Sequence, residues 1–182
     1  MKWKTIESEY LTSYPYFTSR KDKCEMPDGR IVPSYYVVEL PTSVCAVCMT
    51  KENEILLVKQ YRHPIESVTM ELPGGFVDEG ESPETAIKRE LQEEVAYSFE
   101  EIIPIGKIAA NPGVLNNWTY FFLAKGGIPH GKQKFDEHEF LKVEKVSLKE
   151  LKRMLLSNET VQSLHANCIF YALLEIGELK IS

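Results

Sequence analysis

The chain has 182 residues, a net charge of −6 and a pI near 5.3, with 43% apolar and 26% charged residues. That length and composition suit one soluble domain with a single sizeable core, and the acidic balance argues against a broad nucleic-acid or anionic-membrane surface, since either needs a basic field. The opening MKWKTIESEY has no apolar run and no later stretch approaches the length of a membrane span, so the expected location is the cytoplasm.

In chain order, YFTSRKDKCEM and IVPSYYVVEL read as strands joined by a turn at Met26-Pro27-Asp28-Gly29, which predicts a hairpin within residues 14–39. Residues 43–49 and 55–61 are further strands, and 68–72 leads into a Gly-rich loop. After a helix come strands at 102–109 and 119–124, flanking the loop Asn111-Pro112-Gly113-Val114-Leu115-Asn116-Asn117, and another near 140–146. Ser147-Leu148-Lys149-Glu150 matches a capping box, which starts a helix to about 156, and an amphipathic helix over about 160–178 ends the chain. Strands and helices in this mixed order predict an α/β layered domain. No repeat or Pro/Gly/Ser linker divides it, so residues 1–182 read as one domain, with 1–42 a β extension and 43–182 the core.

Four cysteines, Cys24, Cys45, Cys48 and Cys168, include a CxxC spacing at 45–48. VCAVCM reads as a buried strand, however, and positions three apart on a strand point to opposite faces, so these two thiols cannot share one ion. Small buried hydrophobes are the expected role.

The stretch the rest is organised around is 71–97, ELPGGFVDEGESPETAIKRELQEEVAY. Ser82 suits an N-cap and Pro83 the first helical position. Ile87, Leu91 and Val95 recur at four-residue spacing and, with Ala86, give the helix an apolar side. Glu90, Glu93 and Glu94 fall on an adjacent side, where they repel one another unless a cation lies among them. Mg²⁺ suits such a site, because it binds one or two carboxylates while keeping waters and phosphate oxygens; a solvated acidic face is the competing reading.

Gly75, five residues, Glu81, seven residues, then Arg89-Glu90-Leu91-Gln92-Glu93-Glu94 resembles the Nudix box of the Nudix hydrolases. The family's glycine and aliphatic residue after the double glutamate are replaced by Ala96 and Tyr97, a departure at the helix exit that leaves every carboxylate in place. The resemblance implies an α/β/α sandwich with a mixed sheet, and hydrolysis of a nucleoside diphosphate linked to another group. It also implies Glu90 and Glu94 as main metal ligands, Glu93 sharing the cluster, the Gly74 carbonyl completing it, and Arg89 orienting the glutamates with Glu81 as its partner. Mg²⁺, with Mn²⁺ as substitute, is the implied cofactor.

Outside the box, the run DEHEFLKV at 136–143 resembles the loop that carries the general base in Nudix enzymes cleaving ADP-ribose, which makes Glu137 the candidate base and Glu139 the second. Read alone, Asp136 to Glu139 is an acidic surface run. Pro112, Gln60-Tyr61-Arg62 and Glu71-Leu72-Pro73-Gly74 are similar to the ADP-ribose pyrophosphatase branch, and that resemblance makes Pro112, Arg62 and Glu71 candidate substrate contacts. A guanidinium at Arg62 suits phosphate or ribose, and a surface arginine is the plainer alternative. Tyr16 and Phe17 are candidate purine-stacking residues, or else half-buried strand aromatics. His63, His130, His138 and His165 show no ligand spacing and receive no role.

The expectation is thus a Mg²⁺-dependent hydrolase that converts ADP-ribose to AMP and ribose 5-phosphate, with the metal neutralising the phosphates. Two rivals stand beside it: another nucleotide sugar or a dinucleotide as substrate, and a Nudix-fold sensor that binds a nucleotide without cleaving it. No nucleic-acid or membrane partner is expected. The N-terminal segment implies a homodimer, because this branch commonly completes its substrate site with that segment of the partner.

Overall fold

Alternate residues of strand β4 (Ser43–Thr50) face two different cores, and this alternation organises the larger part of the fold. Cys45 and Val47 turn to one side, with Ile55 and Leu57 of β5 (Glu54–Arg62) and Phe121 and Leu123 of β9 (Thr119–Pro129). Val44, Ala46 and Cys48 turn to the other, with Leu56, Val58, Phe122 and Ala124. A sheet buried on both faces reads as continuous apolar runs, as VCAVC, ILLV and FFLA do here.

The computed structural model describes residues 1–14, 16–135 and 140–180. Among these the chain divides into two compact units, one comprising 1–42 with 109–118 and the other 43–108 with 119–182.

The second unit holds a seven-stranded sheet among the described residues, with β10 (Leu141–Ser147), β5, β4, β9 and β7 (Tyr97–Ser98) in that order; β6 (Ser67–Glu71) pairs with β5, and β8 (Glu101–Ile108) with β9. β4 and β9 run parallel and the other pairs antiparallel, so the sheet is mixed. Helix α1 (Pro83–Glu90) and the wider π turn Leu91–Val95 that continues it bury Ala86, Ile87, Leu91 and Val95 in the second core. Helices α2 (Leu148–Leu156) and α3 (Ser163–Glu175) bury Leu151, Met154, Cys168, Ile169, Ala172 and Leu173 in the first. The result is the expected α/β/α sandwich. Cys45 and Cys48 lie in different cores, and burial raises both thiols well above their usual range, so neither is a thiolate ligand.

The first unit is an antiparallel sheet of β1 (Lys4–Tyr14), β2 (Phe17–Glu25) and β3 (Ile31–Glu39). The expected hairpin is β2–β3, and β1 adds a third strand from a segment whose side chains are nearly all exposed and therefore carry no clear burial pattern. The loop 109–118 is fastened to β3 by Val38 N donating to Val114 O (2.8 Å) and the Tyr35 hydroxyl to Gly113 O (3.0 Å), and just past the strand by Leu40 N donating to Asn116 Oδ1 (3.1 Å).

The helix starts are as the sequence indicates. Ser82 accepts from Thr85 N ahead of Pro83, and Ser147 accepts from Glu150 N. The last helix is shorter than expected, with Gln162 capping it through Leu164 N. Among the described residues no helix is long and apolar enough to cross a membrane.

Candidate active site

Residues 72–75 form the floor of the site, and each is held by one backbone group. Leu72 N donates to His165 Nδ1 (3.2 Å), Pro73 O accepts from Ala46 N (3.1 Å), Gly74 N donates to Glu94 Oε2 (2.8 Å) and Gly75 O accepts from Val44 N (2.9 Å). Glycine is sterically required at 74, and at 75 it leaves the space that the Glu90 carboxylate occupies. Gly74 has φ +148, and a Cβ there would lie 2.6 Å from Cys45 Cα and collide with Val44 O. A Cβ on Gly75 would run into the Glu90 carboxylate, with Glu90 Cδ at 2.6 Å.

Glu90 and Glu94 therefore bring their carboxylates to the loop at two consecutive glycines. Glu90 closes α1 and Glu94 lies in the π turn, where it is 3% exposed. π turns are rare and concentrate at functional sites. The turn ends at Ala96, whose φ of 55 is the left-handed conformation in which helices usually place glycine.

Arg89 binds the acidic side together. Its Nη1 donates to Glu90 Oε1 (2.9 Å) and Glu93 Oε2 (3.1 Å), its Nη2 to Phe76 O (2.9 Å) and Glu81 Oε2 (3.0 Å), and its Nε to Glu81 Oε1 (3.2 Å). Glu81 also accepts from Asp78 N, which closes the turn before the helix. The hydrogen bond from Arg89 holds the Glu81 carboxyl below its usual range, and the bond to Glu81, with those to Glu90 and Glu93, outweighs burial and drives Arg89 further above its own. The expected Arg89–Glu81 partnership is present.

A second cluster lies one strand away. Glu71, 2% exposed, receives Nε and Nη2 of Arg62 at 2.9 and 2.6 Å and the Thr69 hydroxyl at 2.6 Å. Burial pushes its carboxyl up, and the hydrogen bonds from Arg62 and Thr69 more than reverse that. His165 Nδ1 stands 3.7 Å from Glu71 Oε2, and burial lowers its pKa to about 4, so the ring is neutral near pH 7. No local pattern marks His165, because its partner Leu72 is 93 positions away. Gln133, whose Nε2 donates to Glu94 O at 2.5 Å, was equally hidden.

The candidates for substrate contact are divided. Arg62 and Glu71 form the pair just described. Tyr16 and Phe17, at the β1–β2 turn, are 68% and 55% exposed rather than half-buried, and Pro112 lies in the loop fastened to β3. Glu137 and Glu139 lie outside the described residues.

Among the described residues no three acidic, histidine or cysteine side chains gather closely enough to form a complete metal cage. A site for Mg²⁺ does not need one, since that ion keeps several waters and takes its remaining oxygens from substrate phosphates. The hard carboxylate oxygens of Glu90 and Glu94 at the Gly74–Gly75 floor fit that requirement.

Comparison with known proteins shows the family. The NUDIX domain matches residues 39–166, and the nucleoside diphosphate sugar hydrolase N-terminal domain matches 3–38. The chain belongs to the Nudix hydrolase family. It is 31% identical over 169 residues to an ADP-ribose pyrophosphatase of Bacillus subtilis, covering 92% of this chain and 91% of that one. It is also 32% identical over 148 residues to a methanol dehydrogenase activator of Bacillus methanolicus, covering 81% and 80%. A crystal structure of an ADP compounds hydrolase superposes with a TM-score of 0.84 over 98% of both chains at 22% identity, which shows the shared fold. Within the family the chain falls in the ADP-ribose pyrophosphatase-like branch and is a Nudix pyrophosphohydrolase.

Proposed function

We propose that the chain hydrolyses the pyrophosphate bond of ADP-ribose in a Mg²⁺-dependent reaction, with Mn²⁺ able to substitute, giving AMP and ribose 5-phosphate. The observation that carries the proposal is the meeting of Glu90 and Glu94 with the loop at adjacent glycines. The near full-length likeness to an ADP-ribose pyrophosphatase supports the substrate.

In this reading Glu90 and Glu94 hold the cation, Glu93 shares it, and the Gly74 carbonyl contributes an oxygen. Bound there, the ion neutralises phosphate charge and favours ionisation of water. Arg89 keeps three carboxylates from splaying apart. Glu137 accepts the proton of the attacking water, with Glu139 as the other candidate, while a phosphorus–oxygen bond of the pyrophosphate breaks and the leaving phosphate departs on its own sugar. Arg62 contributes positive charge toward phosphate or ribose with Glu71 fixing its guanidinium, Tyr16 and Phe17 offer exposed rings to the adenine, and Pro112 shapes the loop beside the substrate.

A homodimer belongs to the same proposal, supported by the exposed Ile6, Tyr10, Leu11 and Tyr14 on β1. Light scattering that returns a monomer removes any role for Tyr16 or Phe17 across an interface. A cytoplasmic location also belongs to the proposal, supported by four cysteines that are all free.

A panel of nucleoside diphosphate derivatives, assayed for release of nucleoside monophosphate with Mg²⁺, tests the substrate. ADP-ribose should show the highest kcat/KM. A different nucleotide sugar or a dinucleotide far ahead of it replaces the substrate, and binding by calorimetry with no turnover in either metal makes the chain a sensor.

A further inference from the structure

Residues 72–75 receive one bond from each helical layer of the sandwich and two from the sheet between them. Glu94 comes from the box helix, which belongs to the second core; His165 comes from α3, which belongs to the first; Val44 and Ala46 of β4 supply the other two. Pro73 has no N–H, so Leu72 N and Gly74 N are the amides available before Gly75 for fixing the loop's path. Each meets a side chain.

We infer that His165 is a positioning residue for the cation site: by accepting the Leu72 amide at Nδ1 it sets the path of the Gly74 amide that holds Glu94. The inference rests on the reading of Glu90 and Glu94 as metal ligands. A neutral ring supplies the required lone pair, and the low pKa of this buried histidine keeps it neutral. The Arg62–Glu71 pair flanks the same ring, with Glu71 Oε2 3.7 Å from Nδ1, so the acceptor nitrogen stands beside a carboxylate whose negative charge is offset by Arg62. Groups bonded directly to a metal's ligands fix their orientation, and their loss typically weakens metal binding or activity about 10–100-fold; His165 acts one link further out, through Leu72 and Gly74, which puts its effect at the lower end.

The test is Mn²⁺ affinity of the purified full chain, read from the free-ion EPR signal, together with melting temperature. Asparagine places Oδ1 where Nδ1 stands, whereas glutamine places its polar atoms nearer Nε2. His165→Asn should bind Mn²⁺ as wild type does, and His165→Gln about tenfold more weakly, at the lower end of the range for such partners. Equal affinity in both variants, with only the melting temperature lowered, overturns the inference, and so does equal weakening in both. Should His165→Gln fail to fold, a folded His165→Asn that binds Mn²⁺ tenfold more weakly still overturns it. In wild-type protein, absence of an NMR coupling between Leu72 N and His165 Nδ1 does the same. Glu94→Gln separates the two readings. If it loses Mn²⁺ while His165→Gln keeps it, only the histidine inference fails; if it binds Mn²⁺ as tightly as wild type, the ligand assignment fails and the inference with it.

Discussion

The amide of Gly74 donates to Oε2 of Glu94 at 2.8 Å, joining two residues twenty positions apart through a backbone atom in a conformation, φ +148, that side chains rarely adopt. The box glutamate and the glycine just ahead of the box thus constrain each other directly. In Gly74→Ala the added Cβ has no room beside Val44 O and Cys45 Cα, and the backbone conformation itself is strained by roughly 1–3 kcal/mol. The expected outcome is a lower melting temperature and loss of most turnover; wild-type values of both in the variant contradict the geometry.

Arg89→Lys keeps the charge but replaces a planar fork that reaches Glu81, Glu90, Glu93 and Phe76 with a single ammonium. We expect kcat to fall by about 10–100-fold, in line with loss of a residue that orients metal ligands, and Mn²⁺ affinity to fall with it. Steady-state kinetics across a Mn²⁺ series checks this.

Ala96 holds a left-handed conformation at the exit of the π turn, where glycine carries no Cβ penalty. Ala96→Gly is therefore expected to stabilise the fold by about 1 kcal/mol, the low end of the left-handed penalty. A shift of the urea midpoint at constant m-value reads this directly.

Stability should fall on acidification through the range set by His165. Its folded pKa of about 4 lies below the ordinary 6.5, so the unfolded chain binds more protons between those values and folding loses free energy as pH drops through them. A shift of that size corresponds to roughly 3 kcal/mol. The lowered carboxyl of Glu71 acts in the same direction at lower pH, because its stabilisation is present above the unfolded carboxylate range and is lost as it protonates. Urea midpoints from pH 7 to pH 4 should decline in wild type and decline less in His165→Asn, which has no titrating ring.

Much of this arrangement was legible in the sequence because its determinants are local. Ser82 and Pro83 start the box helix, Ser147 and Glu150 start α2, and the unbroken apolar runs of β4, β5 and β9 announce a sheet covered on both faces. The pairing of Arg89 with Glu81 and the neighbouring glutamates followed from the resemblance to the Nudix box, and all its members lie within one turn and one helix. The π turn at Leu91–Val95 left no such mark, because the four-residue recurrence of Ile87, Leu91 and Val95 is what an ordinary amphipathic helix also shows.

What stayed hidden depends on distant pairing. β1 has no buried face to give it a period, and Arg62 meets Glu71 only because the corner at His63–Ile65 folds β6 back on β5. His165 and Gln133 act on backbone groups of Leu72 and Glu94, and a backbone partner leaves no trace in composition or spacing.

Glu137→Gln should lower kcat strongly with little change in KM, because a base acts mainly in the transition state. A comparable loss in Glu139→Gln, with Glu137→Gln near wild type, moves that role two residues along.

The central claim, that the box glutamates support cleavage of ADP-ribose, is tested most directly by incubating the purified chain with Mg²⁺ and ADP-ribose and resolving the products by chromatography, beside Glu94→Gln. AMP and ribose 5-phosphate in equal amounts from the wild type, and almost none from the variant, is the predicted result. Intact ADP-ribose after incubation of the wild type with Mg²⁺ or Mn²⁺, or undiminished turnover by Glu94→Gln, contradicts it.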